Sequence, residues 1–167
     1  MNGRIVCVYY SRTGNTRQVM SEIAEALDCE LVEVHDNRNR SGTIGWLRCG
    51  LDAVRRKTRP TTRLETRLPL CDYKLVILGT PVWAGRCSSV IRGLLMRRGS
   101  EMPNVAYVIT HKSEKSYKDV FRQMDRYVQT PHVADISLRL GDAGYHFWRD
   151  QFIKSCADFA EKKGKKR

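Results

Sequence analysis

The sequence predicts an α/β domain built on a parallel sheet with helices on both faces. Three observations carry that expectation. Strand-length apolar runs alternate with amphipathic stretches along the 167 residues. The runs at 4–9 and 74–78 are hydrophobic on both faces, as a central parallel strand is. The segments behind the apolar runs open on Ser, Thr and Gly, which start helices at the carboxyl end of a strand.

Taken in order, residues 4–9 read as the first strand. Residues 15–27 read as a helix, with Val19, Ile23, Ala24 and Leu27 on one stripe. Leu31-Val32-Glu33-Val34 is a short second strand. A long connection over 36–72 carries a helix near 43–57, where Ile44, Leu47, Leu51 and Val54 recur on one side. Lys74 to Leu78 form the third strand, and residues 79–86 form the loop above it. Ser88 or Ser89 caps the next helix, which ends at Gly99 after Arg97 and Arg98. A fourth strand at 105–110, a helix at 114–128, a fifth strand at 132–138 and a closing helix at 145–163 complete the pattern. Repeated units of this size imply right-handed crossovers.

Composition narrows the class. Hydrophobic residues make up 41% of the chain, enough for one packed domain over 1–161, with 162–167 a basic, disordered tail. The apolar runs are strand-sized, so no membrane span is expected, and the first residues lack a secretory core, which predicts a cytoplasmic protein. Six cysteines without Cys-x2-Cys spacing, and four histidines sharing no ligand spacing with them, predict reduced thiols and no metal site.

The net charge of +12 is concentrated. Residues 36–70 hold nine Arg/Lys against three acids, and Lys162 to Arg167 add five positive charges. The basic stretch lacks interleaved aromatics and matches no nucleic-acid-binding signature, so no specific nucleic-acid partner is expected. A solvated face that steers an anionic ligand or acidic partner fits it better, and the tail is suited at most to weak contact with anionic lipid.

Two loops carry chemistry. Ser11-Arg12-Thr13-Gly14-Asn15-Thr16 follows the first strand and opens a helix, so backbone N–H groups and the positive end of the helix dipole form a cup for phosphate. Ser11, Thr13 and Thr16 add hydroxyl donors, and Gly14 lets the backbone bend close to a ligand. Such residues also cap helices in any fold, so the loop alone does not decide. It is neither a Walker loop nor a dinucleotide fingerprint, and Cys7 and Arg12 are one residue too close for a cysteine-phosphatase cradle.

Thr80-Pro81-Val82-Trp83-Ala84-Gly85-Arg86, behind the third strand, suits the edge of a flat, polar-rimmed ring. Pro81 stiffens it, and Trp83 offers a stacking plane. Read alone, it is equally an ordinary turn whose Trp covers the core. In open parallel sheets ligands sit beyond the carboxyl ends of the strands, where both loops lie. A phosphate cup paired with an aromatic shelf describes a flavin mononucleotide (FMN) site.

On these two motifs the chain resembles the flavodoxin-like FMN-binding family over nearly its whole length, the tail excepted. The resemblance implies a three-layer domain with a five-stranded parallel sheet in order 2-1-3-4-5. It assigns FMN phosphate to Ser11, Arg12, Thr13, Gly14, Asn15 and Thr16, and the flavin ring to Pro81, Val82, Trp83, Ala84 and Gly85. The family's third flavin loop, usually glycine-rich or aromatic, reads Thr110-His111-Lys112-Ser113-Glu114-Lys115 here, with Tyr117 just beyond. Thr110 and His111 are its candidate flavin contacts, and His111 a candidate donor to reduced flavin. No nucleophile or acid–base pair is expected, since flavin supplies the redox chemistry.

The implied function is electron transfer from NAD(P)H or a reductase to a small acceptor such as a quinone. A single-electron carrier serving a protein partner, and a docking module with weak or no flavin binding, are the alternatives. Unlike acidic flavodoxins, this chain places Arg12, Arg86 and Lys112 near the site, where they would favour negatively charged reduced flavin. Trp46 is a candidate cover for the cofactor, and Cys87, beside a helix start, reads as a buried structural thiol.

Overall fold

A computed structural model of the chain describes residues 4–35 and 64–162. The expected helix at 43–57, Trp46, most of the basic 36–70 stretch and the tail beyond Lys162 lie outside the described residues.

The elements run β1 (Ile5–Tyr9), α1 (Asn15–Ala26), β2 (Glu30–Glu33), β3 (Leu75–Trp83), β4 (Arg86–Cys87), α2 (Ser89–Arg98), β5 (Val105–Thr110), α3 (Lys118–Asp125), β6 (Ala134–Leu138) and α4 (Tyr145–Glu161). The parallel sheet has the order β2-β1-β3-β5-β6, and β4 pairs antiparallel with the end of β3. Counting the long strands alone, this is the expected 2-1-3-4-5. The register brings Tyr9 level with Gly79 and Gly79 level with Val108, so the strand ends form one rim.

Side-chain alternation splits the core in two. Val6, Val8, Val76, Leu78, Tyr107 and Ile109 face α2 and α3, meeting Ile91, Leu94 and Phe121. Ile5, Cys7, Ile77, Ala106 and Val108 face α1 and α4, meeting Val19, Met20, Ile23, Phe152 and Cys156. Every residue of β1, and of β3 up to Thr80, is buried, which is why those runs read as continuously apolar.

Four boundaries are set by particular contacts. First, β3 does not end at Leu78 but runs to Trp83, because β5 pairs with it out to Pro81–Thr110 and β4 pairs beyond. The loop expected at 79–86 is thus the end of a strand plus a hairpin. Second, the helix expected at 114–128 is confined to Lys118–Asp125. Ser113 draws the chain into a local turn, its hydroxyl accepting the Lys115 N–H at 3.1 Å. Third, α2 ends at Gly99 as expected; with φ −61° that residue leads into a short 3-10 turn, Gly99–Glu101. A Cβ there would sit 2.1 Å from the Tyr127 carbonyl oxygen, so glycine is needed for close approach. Fourth, the last strand begins at Ala134 rather than at residue 132, because the His132 side chain is held between Asp125 and Asp135 at 2.9 and 3.0 Å. Among the described residues no helix is long and apolar enough to cross a membrane.

Candidate functional site

The first loop is shaped by one glycine and one hydroxyl. Gly14 adopts φ +94° immediately before α1, and its N–H donates to the Ser11 hydroxyl oxygen at 3.1 Å. Having accepted that bond, the Ser11 O–H remains available to donate outward. Among the described residues no side chain caps α1, and its first-turn N–H groups lack intrahelical acceptors. Asn15 and Thr16 line a pocket at that end. Thr16 is buried and its hydroxyl meets that of Thr110, at the end of β5, at 2.8 Å. Two hydroxyls sharing one bond use one proton between them, which leaves the other to serve a ligand.

The opposite wall is the hairpin. Val82 pairs with Cys87 and Trp83 with Arg86, leaving Ala84 and Gly85 as a two-residue turn. Their φ values are +47° and +70°, the left-handed pair that matches strand twist in tight hairpins. Behind it the buried Thr80 hydroxyl accepts the Ser88 N–H at 2.9 Å, and the Ser88 hydroxyl accepts the Ile91 N–H at 3.3 Å, capping α2. The hairpin is therefore braced from beneath. Trp83 stands edge-on to Tyr10, with ring centroids 5.7 Å apart and planes at 84°.

The third loop closes the pocket. The His111 Nδ1 lies 2.7 Å from the Ser113 carbonyl oxygen, and its Nε2 lies 2.8 Å from the Ser137 hydroxyl on β6. A carbonyl can only accept, so Nδ1 carries a proton, and Nε2 is bonded to the Ser137 hydroxyl. Both nitrogens are committed within the protein. His111 is accordingly a brace between β5 and β6. Its ring also lies 4.9 Å from that of Tyr117.

These walls enclose about 410 Å³, within the range of small-molecule sites. Arg12, Thr13, Asn15 and Thr16 come from the first loop, Pro81, Val82 and Trp83 from the hairpin, and Thr110 with residues 111–113 and Tyr117 from the third. Among the described residues the wall contains the cations Arg12 and Lys112 and no carboxylate. Of the expected residues, Ser11 and Gly14 stand behind the wall and shape it, and Ala84 and Gly85 sit at the hairpin tip outside it. Arg86 points toward α3, with its Nη1 3.5 Å from the Gln123 side-chain oxygen. A second basin of about 330 Å³ shares Asn15, His111 and Lys112 and adds Arg139, Leu140 and Gly141 from the turn after β6. Sequence reading overlooked that turn; its only signal is the glycine, at φ +86°.

Cys87 is buried, and burial pushes its thiol up to about 11, so the helix start does not make it reactive.

Solved structures share this fold. A flavoprotein from Lactobacillus acidophilus in complex with FMN aligns over 87% of this chain and 98% of its own, with a TM-score of 0.64 at 20% identity. A candidate flavoprotein from Bacteroides uniformis covers 92% of this chain and 99% of its own, at TM-score 0.74 and 20% identity. The fold is flavodoxin-like. A flavodoxin-class, WrbA-like protein from Agrobacterium tumefaciens also aligns, over 93% of this chain and 96% of its own, at TM-score 0.58 and 13% identity. Neither a family model nor a curated protein sequence matches the chain.

The residues present suit FMN chemically. An uncapped helix start flanked by hydroxyls matches a phosphate monoester, the cationic wall matches its charge, and the Pro81–Trp83 edge facing Tyr117 offers an apolar slot for a planar ring.

Proposed function

We propose that this protein binds FMN in the three-loop pocket and works as a flavin-dependent redox protein. In this reading it passes electrons from NAD(P)H or a reductase to a small acceptor such as a quinone. One observation carries it: an uncapped helix start and an aromatic hairpin, sixty-odd residues apart in sequence, line one cation-walled pocket. Flavin supplies the hydride and electron chemistry; the protein supplies position and field.

Ser11 through Thr16 hold the phosphate by backbone N–H groups and hydroxyls. Pro81, Val82 and Trp83 bound the ring on one side and Tyr117 on the other. Arg12 and Lys112 lower the energy of negative charge on the bound group. His111, tied to Ser113 and Ser137, keeps the third loop in place. The second basin, open beside the first, is large enough to admit a small donor or acceptor. An NAD(P)H:quinone oxidoreductase from Methanothermobacter marburgensis has the same fold, at TM-score 0.51 and 13% identity, covering 96% of this chain and 98% of its own.

The deciding measurement is the absorption spectrum of the purified protein titrated with FMN, followed by anaerobic NAD(P)H. A flavin spectrum bleached by NAD(P)H alone, and restored by a quinone, is the expected result. Bleaching only with an added reductase would establish the carrier alternative. A protein that stays colourless with excess FMN would leave a docking module and end the redox reading.

A further inference from the structure

Five cysteines fall among the described residues, and two of them touch. The Sγ atoms of Cys7, on β1, and Cys29, in the corner between α1 and β2, lie 3.6 Å apart. The pair belongs to the α1/α4 face of the sheet and has no part in the pocket. The corner is built to bring them together. Asp28 takes φ +45°, turning the chain back after α1, and the Cys29 N–H donates to the Ala24 carbonyl at 3.0 Å. This lodges the Cys29 side chain beside β1.

The two thiols are not equivalent. Cys7 has no exposure, whereas Cys29 keeps 8%. The hydrogen bond between them favours the Cys29 thiolate over the opposing effect of burial and the Asp28 and Glu30 carboxylates. The same contact and full burial hold Cys7 as a thiol. Cys156 on α4 packs in the same cluster, but burial pushes it up to about 12, so it stays protonated. The arrangement is one slightly less buried cysteine with thiolate character and one fully buried sulfur in contact with it.

We propose that Cys7 and Cys29 form a redox-active dithiol, closed to a reversible disulfide by hydrogen peroxide. The Cys29 thiolate attacks a peroxide oxygen and displaces the other as hydroxide, which takes up a proton to become water. Cys29 is left as a sulfenic acid. The Cys7 sulfur then attacks the Cys29 sulfur, giving up its proton as the hydroxyl departs as a second water. Two thiols are oxidised by two electrons and one peroxide is reduced to two waters. A disulfide bond is about 2.05 Å long, so the sulfurs approach by about 1.5 Å. That movement is available because β2 is a four-residue strand at the edge of the sheet. The crosslink would tie β1 to the corner after α1, the helix whose start forms the first loop. It does not depend on flavin binding.

The test is peroxide treatment of the full-length folded protein, thiol blocking, and non-reducing peptide mapping. The expected result is a Cys7–Cys29 crosslinked peptide, released by dithiothreitol, with Tm raised by several degrees as the crosslink restricts the unfolded chain. In Cys7→Ala, whose folding is checked by circular dichroism, a sulfenic-acid probe should label Cys29 and the Tm rise should vanish. If both residues remain free thiols after peroxide, if Cys29 couples to Cys156 or Cys71 instead, or if it over-oxidises without bridging in the unmutated protein, the proposal is overturned.

Discussion

The two sides of the pocket are built by opposite means. On the α1 side, the chain's own local chemistry sets the geometry. A strand ends, Gly14 turns left-handed, Ser11 takes up the glycine N–H, and a helix begins, all within six residues. On the hairpin side, tertiary pairing sets it. β3 continues past Leu78 because β5 offers partners as far as Thr110, and the chain reverses only when β4 is in place. A glycine marks each side, and the two glycines have different reasons. Gly14 is required by its φ and has open space around it, whereas Gly79 is required by space.

That contrast can be broken by two substitutions. A Cβ at Gly79 would lie 2.5 Å from Met20 Cγ and Sδ and 2.9 Å from Tyr9 Cβ, all buried. Gly79→Ala should therefore cost about 2–3 kcal/mol by overpacking β3 against Met20 of α1 and Tyr9 of β1. Gly14→Ala meets nothing, so its cost is the left-handed backbone alone, about 1 kcal/mol. Chemical denaturation of both variants measures the difference. Equal costs would mean that the core yields around Gly79 or that the first loop relaxes.

The next effect joins the two sides. Thr16 and Thr110 exchange a buried hydroxyl bond, so replacing either by Val strands the other. Thr16→Val and Thr110→Val should each destabilise by about 1–2 kcal/mol, while the double variant should cost less than their sum. A double-mutant cycle in urea reads the coupling. Additive costs would show that the hydroxyls are satisfied independently. In the proposed function both single variants also weaken FMN.

The same contrast explains what the sequence made legible. The strand–helix rhythm, the sheet order and the first loop follow from short-range pattern, because two-sided burial makes β1 and β3 uniformly apolar and Gly14 marks the turn. The end of β3 was not legible, since Gly79-Thr80-Pro81 carries turn residues in a stretch that only its neighbour β5 makes extended. His111 reads as a free loop histidine until Ser137, 26 residues away, takes its second nitrogen. The turn after β6 contributes to the second basin through its place on the rim, which no local pattern announces.

Charge holds the α1 side to α4, and pH tests it. Glu22 accepts from Arg149 at 2.7 Å and from Tyr145 at 2.8 Å. Burial raises its carboxyl, but those bonds and one from Gln18 outweigh it, so the group lies below its ordinary value of 4.5. A carboxyl depressed in the fold contributes stability that is fully present above its unfolded value and fades as pH falls through the folded one. Glu22→Gln should therefore lose at most about 1 kcal/mol near neutrality and show a shallower stability loss below pH 4.5 than the unmutated protein. Parallel acid limbs in urea would remove the pair from the account.

The smallest effect acts on the hairpin alone. Ala84 bears a φ of +47°, which an alanine tolerates poorly, and Gly85 follows at +70°. Asparagine is more readily left-handed, and Asn-Gly is the preferred tip of such a hairpin. Ala84→Asn should thus stabilise by about 0.5 kcal/mol, raising Tm by about 1–2 °C. Because Ala84 lies outside the pocket wall, FMN affinity should not change in the proposed function. A lower Tm would mean the turn is not of this type. A changed affinity with Tm raised as expected would bring the tip into contact with the ring, and the hairpin would then act on ligand through its turn as well as its strands.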